Sequence, residues 1–521
     1  MSLGMATLAA CGGGGGGSGG FPGLIPASSG VPGASTVTLS GTATYVSIPN
    51  PGGALVYAGS TPKPIRGASL EIVNSATSAV LATTITDSEG AYSVALPSST
   101  QVLVRIKAQL TQSGSGATWN VTVRDNTRSD AIYALETPSF STGVAASTRD
   151  VQAPSGWDGT RYAATRVAAP FAVLDTVYAA QSKMLSVAPN TAFPTLRVYW
   201  SSNNMPAVGN PALGQIGTTS FTVDSTGPAI YVLGKEDVDT DEYDASVIAH
   251  EWGHYYQSAF SRDDSPGGSH AMSDRLDRRV AFSEGWGNAW SGIALARSNY
   301  TDSAGPSQGQ GANIDLTSAG ASGSGWYREG SIQSIFWRLN SQVGFQPINA
   351  ALTGAAFKGG GAVTSIHAFA AAFTLAAPGN ASALTSLLAS EQISAAPNDP
   401  FGVAEADDCG VPDALPLYRQ AAVGGTTTAC VSNSAGAGNK LASYVYLRFS
   451  SASAVNRTIT VSGPSNADPD FAVYAGRFID DSVGFGASET KAVSLPAGEN
   501  VLVINDYNNS SAHTCFNVSI Q

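Results

Sequence analysis

The chain has 521 residues, 12% of them charged, with a formal net charge of -12 at pH 7. That length exceeds one ordinary core and predicts roughly two to four domains. Sparse, scattered Lys and Arg exclude nucleic acid as the main partner, because phosphate binding needs clustered cations. The Gly-, Ser-, Thr- and Ala-rich composition suits an extracytoplasmic bacterial protein, and no apolar run reaches the ~18 residues a spanning helix needs.

Residues 1–34 contain Leu8-Ala9-Ala10-Cys11 followed by a glycine tract. This resembles the lipobox of a bacterial lipoprotein, which implies Cys11 as a lipidation site anchored to the outer membrane and the glycines as a flexible tether. No basic segment precedes it, so a small-residue run ahead of a linker is the competing reading.

From about 35 to 145, apolar and polar residues alternate between turn signals, as in 36–40, 68–73, 91–96 and 101–107. Short, closely spaced strands predict a β-sandwich. The runs beginning at Pro64-Ile65-Arg66-Gly67 and at Thr86-Asp87-Ser88-Glu89-Gly90 resemble the small carboxypeptidase-regulatory-like domains of secreted proteins. Nothing catalytic stands in this stretch, which reads as a spacer or packing module, with substrate or glycan binding second.

Residues 137–165 read as a linker, and a domain running 146–400 follows. Within it, Phe171, Val173, Leu174, Val177, Tyr178, Met184 and Leu185 have helical spacing, with Pro170 near the start. Residues 196–200 and 229–233 read as strands. The acids of 235–244 offer oxygen ligands that suit Ca²⁺, but their spacing matches no EF-hand, and a solvated acidic turn competes.

Asp244 is a candidate N-cap for a helix whose text includes His250-Glu251-Trp252-Gly253-His254. Positions i and i+4 share a helix face, so both imidazoles can converge on one Zn²⁺ while Glu251 acts as base toward a water. With only five histidines in the chain, a chance H-E-x-x-H is rare, and the competing reading is a surface helix with two solvated imidazoles. Gln257 and Phe260 occupy the places where a metzincin would have glycine and its third histidine. The loop 261–277 carries His270, expected to be exposed. A second, largely apolar helix over 279–296 has one acid in its interior, Glu284, which is costly to bury unless paired or bound to metal and is therefore the expected third ligand.

His250-Glu251-x-x-His254 followed by Ser283-Glu284-Gly285-Trp286 resembles the gluzincin zinc peptidases, most closely the fungalysin and thermolysin-like branch, over roughly 167–340. The resemblance implies an α+β zincin fold, with His250, His254 and Glu284 as zinc ligands and Glu251 as general base. It also makes 229–233 a candidate substrate-binding edge strand, with an ordinary core strand as the alternative. Where that branch often has an aspartate supporting a ligand histidine, this chain has Asn288, an uncharged acceptor.

Residues 298–324 read as a long polar loop and 325–339 as an amphipathic helix. Tyr327, ahead of that helix, is the first candidate to steady an oxyanion, and His367, within an apolar helix at 363–376, is the second, with a core histidine as its alternative. Residues 401–435 read as a linker in which Cys409 and Cys430 could close a disulfide loop, leaving Cys515 unpaired. Alternation returns over 436–521, and 468–474 resembles the bacterial pre-peptidase C-terminal β-sandwich. The fold expected is thus multidomain, an α+β zincin domain flanked by two β-sandwiches. The function expected is a secreted or surface-anchored zinc metalloendopeptidase acting on proteins or peptides. A zinc exopeptidase is the nearer alternative, and a catalytically silent adhesion or glycan-binding protein on the same scaffold the other.

Overall fold

Alternation along the N-terminal strands translates directly into sheets with one buried face. The computed structural model describes residues 35–509 and 511–521; Cys11 and the glycine tract lie outside them. The described chain divides into two units, 35–248 with 301–312, and 249–300 with 313–521.

In the first unit, Thr36–Ser47 buries Val37, Leu39, Ala43 and Tyr45 and organises a five-stranded sheet. A ten-stranded sheet runs in the order Ser220–Asp224, Gly227–Val232, Leu196–Trp200, Trp119–Asp125, Gln101–Gln112, Ala68–Asn74, Val80–Ile85, with three short strands beside it. Leu196–Trp200 lies between two parallel partners, pairing Leu196 with Val121 and Arg197 with Ala229, and is buried along most of its length. Helix α1 (Ala169–Leu185), with Pro170 in its first turn, is the crossover between Trp119–Asp125 and Leu196–Trp200 and packs on the sheet.

One sheet thus runs across the boundary expected at 145/146: Trp119–Asp125, in the expected N-terminal module, pairs with Leu196–Trp200, in the expected catalytic domain. Residues 137–165 are not a free linker either, since Ser147–Thr148 and Val151–Ala153 pair in parallel with Thr36–Ser47. Nor is the strand around 229–233 an edge, because Ser220–Asp224 pairs along its outer side. The loop expected over 298–324 contains the strands Asn299–Ala304 and Gln310–Asp315.

Helix α2 (Ala245–Phe260) begins in the first unit and continues into the second. There, α3 (Arg278–Leu295) is buried from Arg278 to Ile293, as its all-round apolar sequence requires. Helix α4 (Glu329–Val343) packs along α3. The α2 and α3 backbones approach closely because glycines face each other: a Cβ on Gly253 would lie 3.1 Å from the Gly287 Cα. Around that crossing Trp252 and Trp290 stack at 5.2 Å, with Tyr256, Trp286 and Phe345 against them.

The C-terminal part of this unit is a two-sheet sandwich. One sheet orders Arg419–Gln420, Tyr444–Ser451, Gly498–Asp506, Pro469–Tyr474, Phe478–Ser482, and the other Thr426–Ser432, His513–Ile520, Val455–Ser462, Ser488–Leu495. Leu447, Phe449, Ile459, Phe471, Leu502 and Phe516 belong to the core between them. Two strands of this module fall in the expected 401–435 linker. The disulfide joins Cys430 to Cys515, while Cys409 is free, which corrects the expected Cys409–Cys430 pairing. Cys430 and Cys515 are direct partners across the antiparallel pair Thr426–Ser432/His513–Ile520, a register that sequence separation does not reveal.

Candidate metal centre

One turn of α2 separates His250 from His254 and sets their imidazoles on the same face, ring centroids 4.8 Å apart and the two Nε2 atoms 3.0 Å apart. Across the close α2–α3 crossing, Glu284 Oε2 lies 3.2 Å from His250 Nε2 and 3.5 Å from His254 Nε2. Donors around a tetrahedral zinc with bonds of ~2.0–2.1 Å are about 3.3 Å apart. The observed separations bracket that edge, and a His₂Glu donor set suits a catalytic rather than a fully closed site. The residues present therefore fit the ion expected from the motif.

Neighbouring side chains fix both rings. Asn288 Oδ1 is 2.9 Å from His250 Nδ1, so the amide oxygen can accept from Nδ1–H and leave Nε2 as the donor atom. His254 Nδ1 is 3.3 Å from Gln257 Oε1 and 3.2 Å from Ser283 Oγ, which in turn lies 3.1 Å from Asp263 Oδ2. Glu251, buried on α2 between the histidines, acts on His254 electrostatically.

Charge is concentrated here. Burial by itself would lower the His254 pKa, but the Glu284, Glu251 and Asp263 carboxylates raise it to about 10. Burial would raise Glu284, yet His254, His250 and His270 hold it well below the usual carboxylate range. Asp263 is solvent-exposed as a residue, but desolvation of its carboxylate beside this cluster pushes it up to about 6, against the opposing pull of His254. Such an excess of carboxylates favours bound protons or a cation, and metal binding here would release protons.

No family model and no curated protein matches the sequence. Among solved structures, the chain is similar to the pre-peptidase C-terminal domain of a collagenase from Bacillus anthracis, at 13% identity and TM-score 0.17, over 20% of this chain and 94% of that one. It is also similar to PliG, a periplasmic inhibitor of g-type lysozyme from Aeromonas hydrophila, at 12% identity and TM-score 0.15, over 20% of this chain and 96% of that one. The shaft pilin SpaA from Lactobacillus rhamnosus GG matches at 16% identity and TM-score 0.11, over 23% of this chain and 49% of that one. Among the described residues no helix is long and apolar enough to cross a membrane.

The structure brings together His250, His254, Glu284 and Asn288, with Glu251 on the same helix, and turns the two oxyanion candidates to other partners. The Tyr327 hydroxyl donates to Asp407 Oδ2 at 3.0 Å. His367 is 1% exposed, with Nε2 3.1 Å from Glu405 Oε2, which makes it a paired core histidine. His270 is exposed, as expected, yet it reaches the centre: its Nε2 is 3.2 Å from Glu284 Oε2. Its scarcity was the available signal, as one of only five histidines and placed between α2 and α3.

The acidic stretch is not a solvated turn, because Asp241, Glu242 and Asp244 are buried. Glu242 pairs with Arg166 at 2.8 Å. Asp244 stands at the expected N-cap position, and its carboxylate accepts from Asn50, at 2.5 Å, and from the Ser303 backbone and hydroxyl. Asp239, Asp241 and Asp302 converge within 4.8 Å of one another, the residues nearest to the Ca²⁺ expectation.

Proposed function

We propose that this chain is a secreted or surface-anchored bacterial zinc metalloendopeptidase of the gluzincin type, acting on protein or peptide substrates. The observation that carries the reading is the convergence of His250, His254 and Glu284 at tetrahedral-edge separations, with Glu251 on the same helix. The Cys430–Cys515 disulfide supports an oxidising, extracytoplasmic compartment.

The ion, when bound, supplies a Lewis acid that polarises a carbonyl and makes a neighbouring water more acidic. His250, His254 and Glu284 are the residues that would hold it. Asn288 and the Gln257–Ser283 pair keep the two imidazoles in the tautomer that offers Nε2. Glu251, a buried carboxylate on the same helix as the two histidines, would take a proton from the attacking water and return it to the leaving amine. Tyr327 is engaged with Asp407, so the oxyanion donor is not assigned to it.

The test is zinc content and casein cleavage of the purified protein, with Glu251→Gln and Glu284→Ala. The wild type should hold about one zinc and cleave, Glu251→Gln should keep metal and lose cleavage, and Glu284→Ala should lose metal. A wild type that binds no zinc overturns the reading. Zinc without cleavage would support the silent adhesion or glycan-binding alternative, and cleavage abolished by blocking the substrate N-terminus would support an exopeptidase.

A further inference from the structure

The loop joining α2 to α3 places His270 between two carboxylates. On one side, His270 Nε2 is 3.2 Å from Glu284 Oε2, the same oxygen that faces His250 and His254. On the other, His270 Nδ1 is 2.8 Å from Oε2 of Glu329, the first residue of α4. Glu329 is 2% exposed, and among the described residues its Oε2 has no polar partner but this imidazole. A carboxylate is tolerated at such depth only when paired.

The loop is also tied to the start of α4 independently of His270. Arg328 donates to the Ser273 carbonyl, and the Leu276 backbone N–H donates to the Tyr327 carbonyl. The loop that carries His270 is thus held against the start of the helix that supplies Glu329.

We propose that His270 is the positioning residue for Glu284. Glu329 orients the ring through Nδ1, and Nε2–H donates to the Glu284 carboxylate, holding it toward the two metal-facing imidazoles. A role as a fourth ligand fits less well: the donor atoms of His250, His254 and Glu284 lie within 4.8 Å of one another, and His270 is outside that set. Ligands of one tetrahedral zinc need separations of about 3.3 Å. Hydrogen-bonded partners of ligating carboxylates tune metal affinity in this way.

This inference rests on the reading of the centre as a zinc site, and the experiment separates the two. Zinc affinity of the full chain is measured by competition with a chromophoric chelator for wild type, His270→Leu, His270→Gln and Glu329→Gln, with the visible spectrum of each cobalt-substituted form and the metal-free melting curve alongside. Removing the donor in His270→Leu should weaken zinc about 10- to 100-fold and shift the cobalt spectrum. Glu329→Gln should weaken it in the same direction. His270→Gln, whose amide can still donate to Glu284, should recover much of the affinity. If His270→Leu does not fold, the ordering of His270→Gln and Glu329→Gln against wild type decides the matter. Equal affinity in all variants, or no recovery by Gln over Leu, overturns the proposal alone. A wild type without measurable zinc affinity overturns the zinc reading and this inference with it.

Discussion

Gly287 and the His250 ring leave no room for a side chain between them: a Cβ on Gly287 would lie 2.7 Å from His250 Cε1 and 2.9 Å from Nε2. Gly287→Ala must therefore push the imidazole away from Glu284 or spread α2 from α3. We expect a loss of about 1–3 kcal/mol in stability, the usual range for overpacking, and at least a tenfold loss of zinc affinity. Chemical denaturation and chelator competition measure the two effects.

Asn288 contributes an acceptor to His250 without contributing charge. Asn288→Ala should reduce zinc affinity about 10- to 100-fold while leaving the metal-free fold intact. Asn288→Asp should bind zinc more tightly than wild type, because a carboxylate makes the imidazole a better donor. Chelator competition at fixed pH would show the order Asp above Asn above Ala.

The N-terminus of α3 is held by the C-terminal sandwich. Asp277 caps α3 through the Arg279 N–H, and the Tyr446 hydroxyl donates to its other oxygen at 2.5 Å. The guanidinium of Arg278 lies 4.0 Å from the centre of the Tyr446 ring. Tyr446→Phe leaves a buried carboxylate oxygen short of a donor and should cost about 1–3 kcal/mol in denaturation. Deleting residues 419–521 should lower zinc affinity as well as solubility, because Asp277, the cap of the Glu284 helix, loses the Tyr446 donor that holds its other oxygen.

The cluster of Asp239, Asp241 and Asp302 predicts a pH dependence of known sign. Burial and the charge of Asp302 push Asp239 up to about 7, and burial pushes Asp302 up to about 6, against an unfolded value near 3.9. Between about pH 4 and 7 the folded chain binds more protons at these groups than the unfolded chain, so their contribution to stability falls as pH rises. Melting temperatures in chelator at pH 5 and pH 8 check the direction, and Asp239→Asn should flatten the difference. Millimolar calcium is the companion measurement: a melting temperature raised at pH 8 and not at pH 5 would show a cation replacing those protons.

Where the sequence was legible, the signal was local. Alternation marked Thr36–Ser47 and Gln101–Gln112, and the i, i+4 spacing put His250 and His254 on one helix face because 3.6 residues per turn leaves no choice. The isolation of Glu284 in an apolar helix exposed it as a residue in need of a partner. The linker-like reading of 137–165 failed because strands of two or three residues are too short to show an alternating pattern.

By itself, then, the sequence determined the helices Ala245–Phe260 and Arg278–Leu295, the placing of His250, Glu251, His254 and Glu284 on them, and the β character of both ends, all properties of neighbours along the chain. Tertiary structure decided what depends on distant partners. It joined Trp119–Asp125 to Leu196–Trp200 in one sheet, set Cys430 opposite Cys515, committed Tyr327 to Asp407 and His367 to Glu405, and carried His270 between Glu284 and Glu329. Strand register and loop closure bring together residues tens of positions apart, and no periodicity in the chain encodes which of them meet.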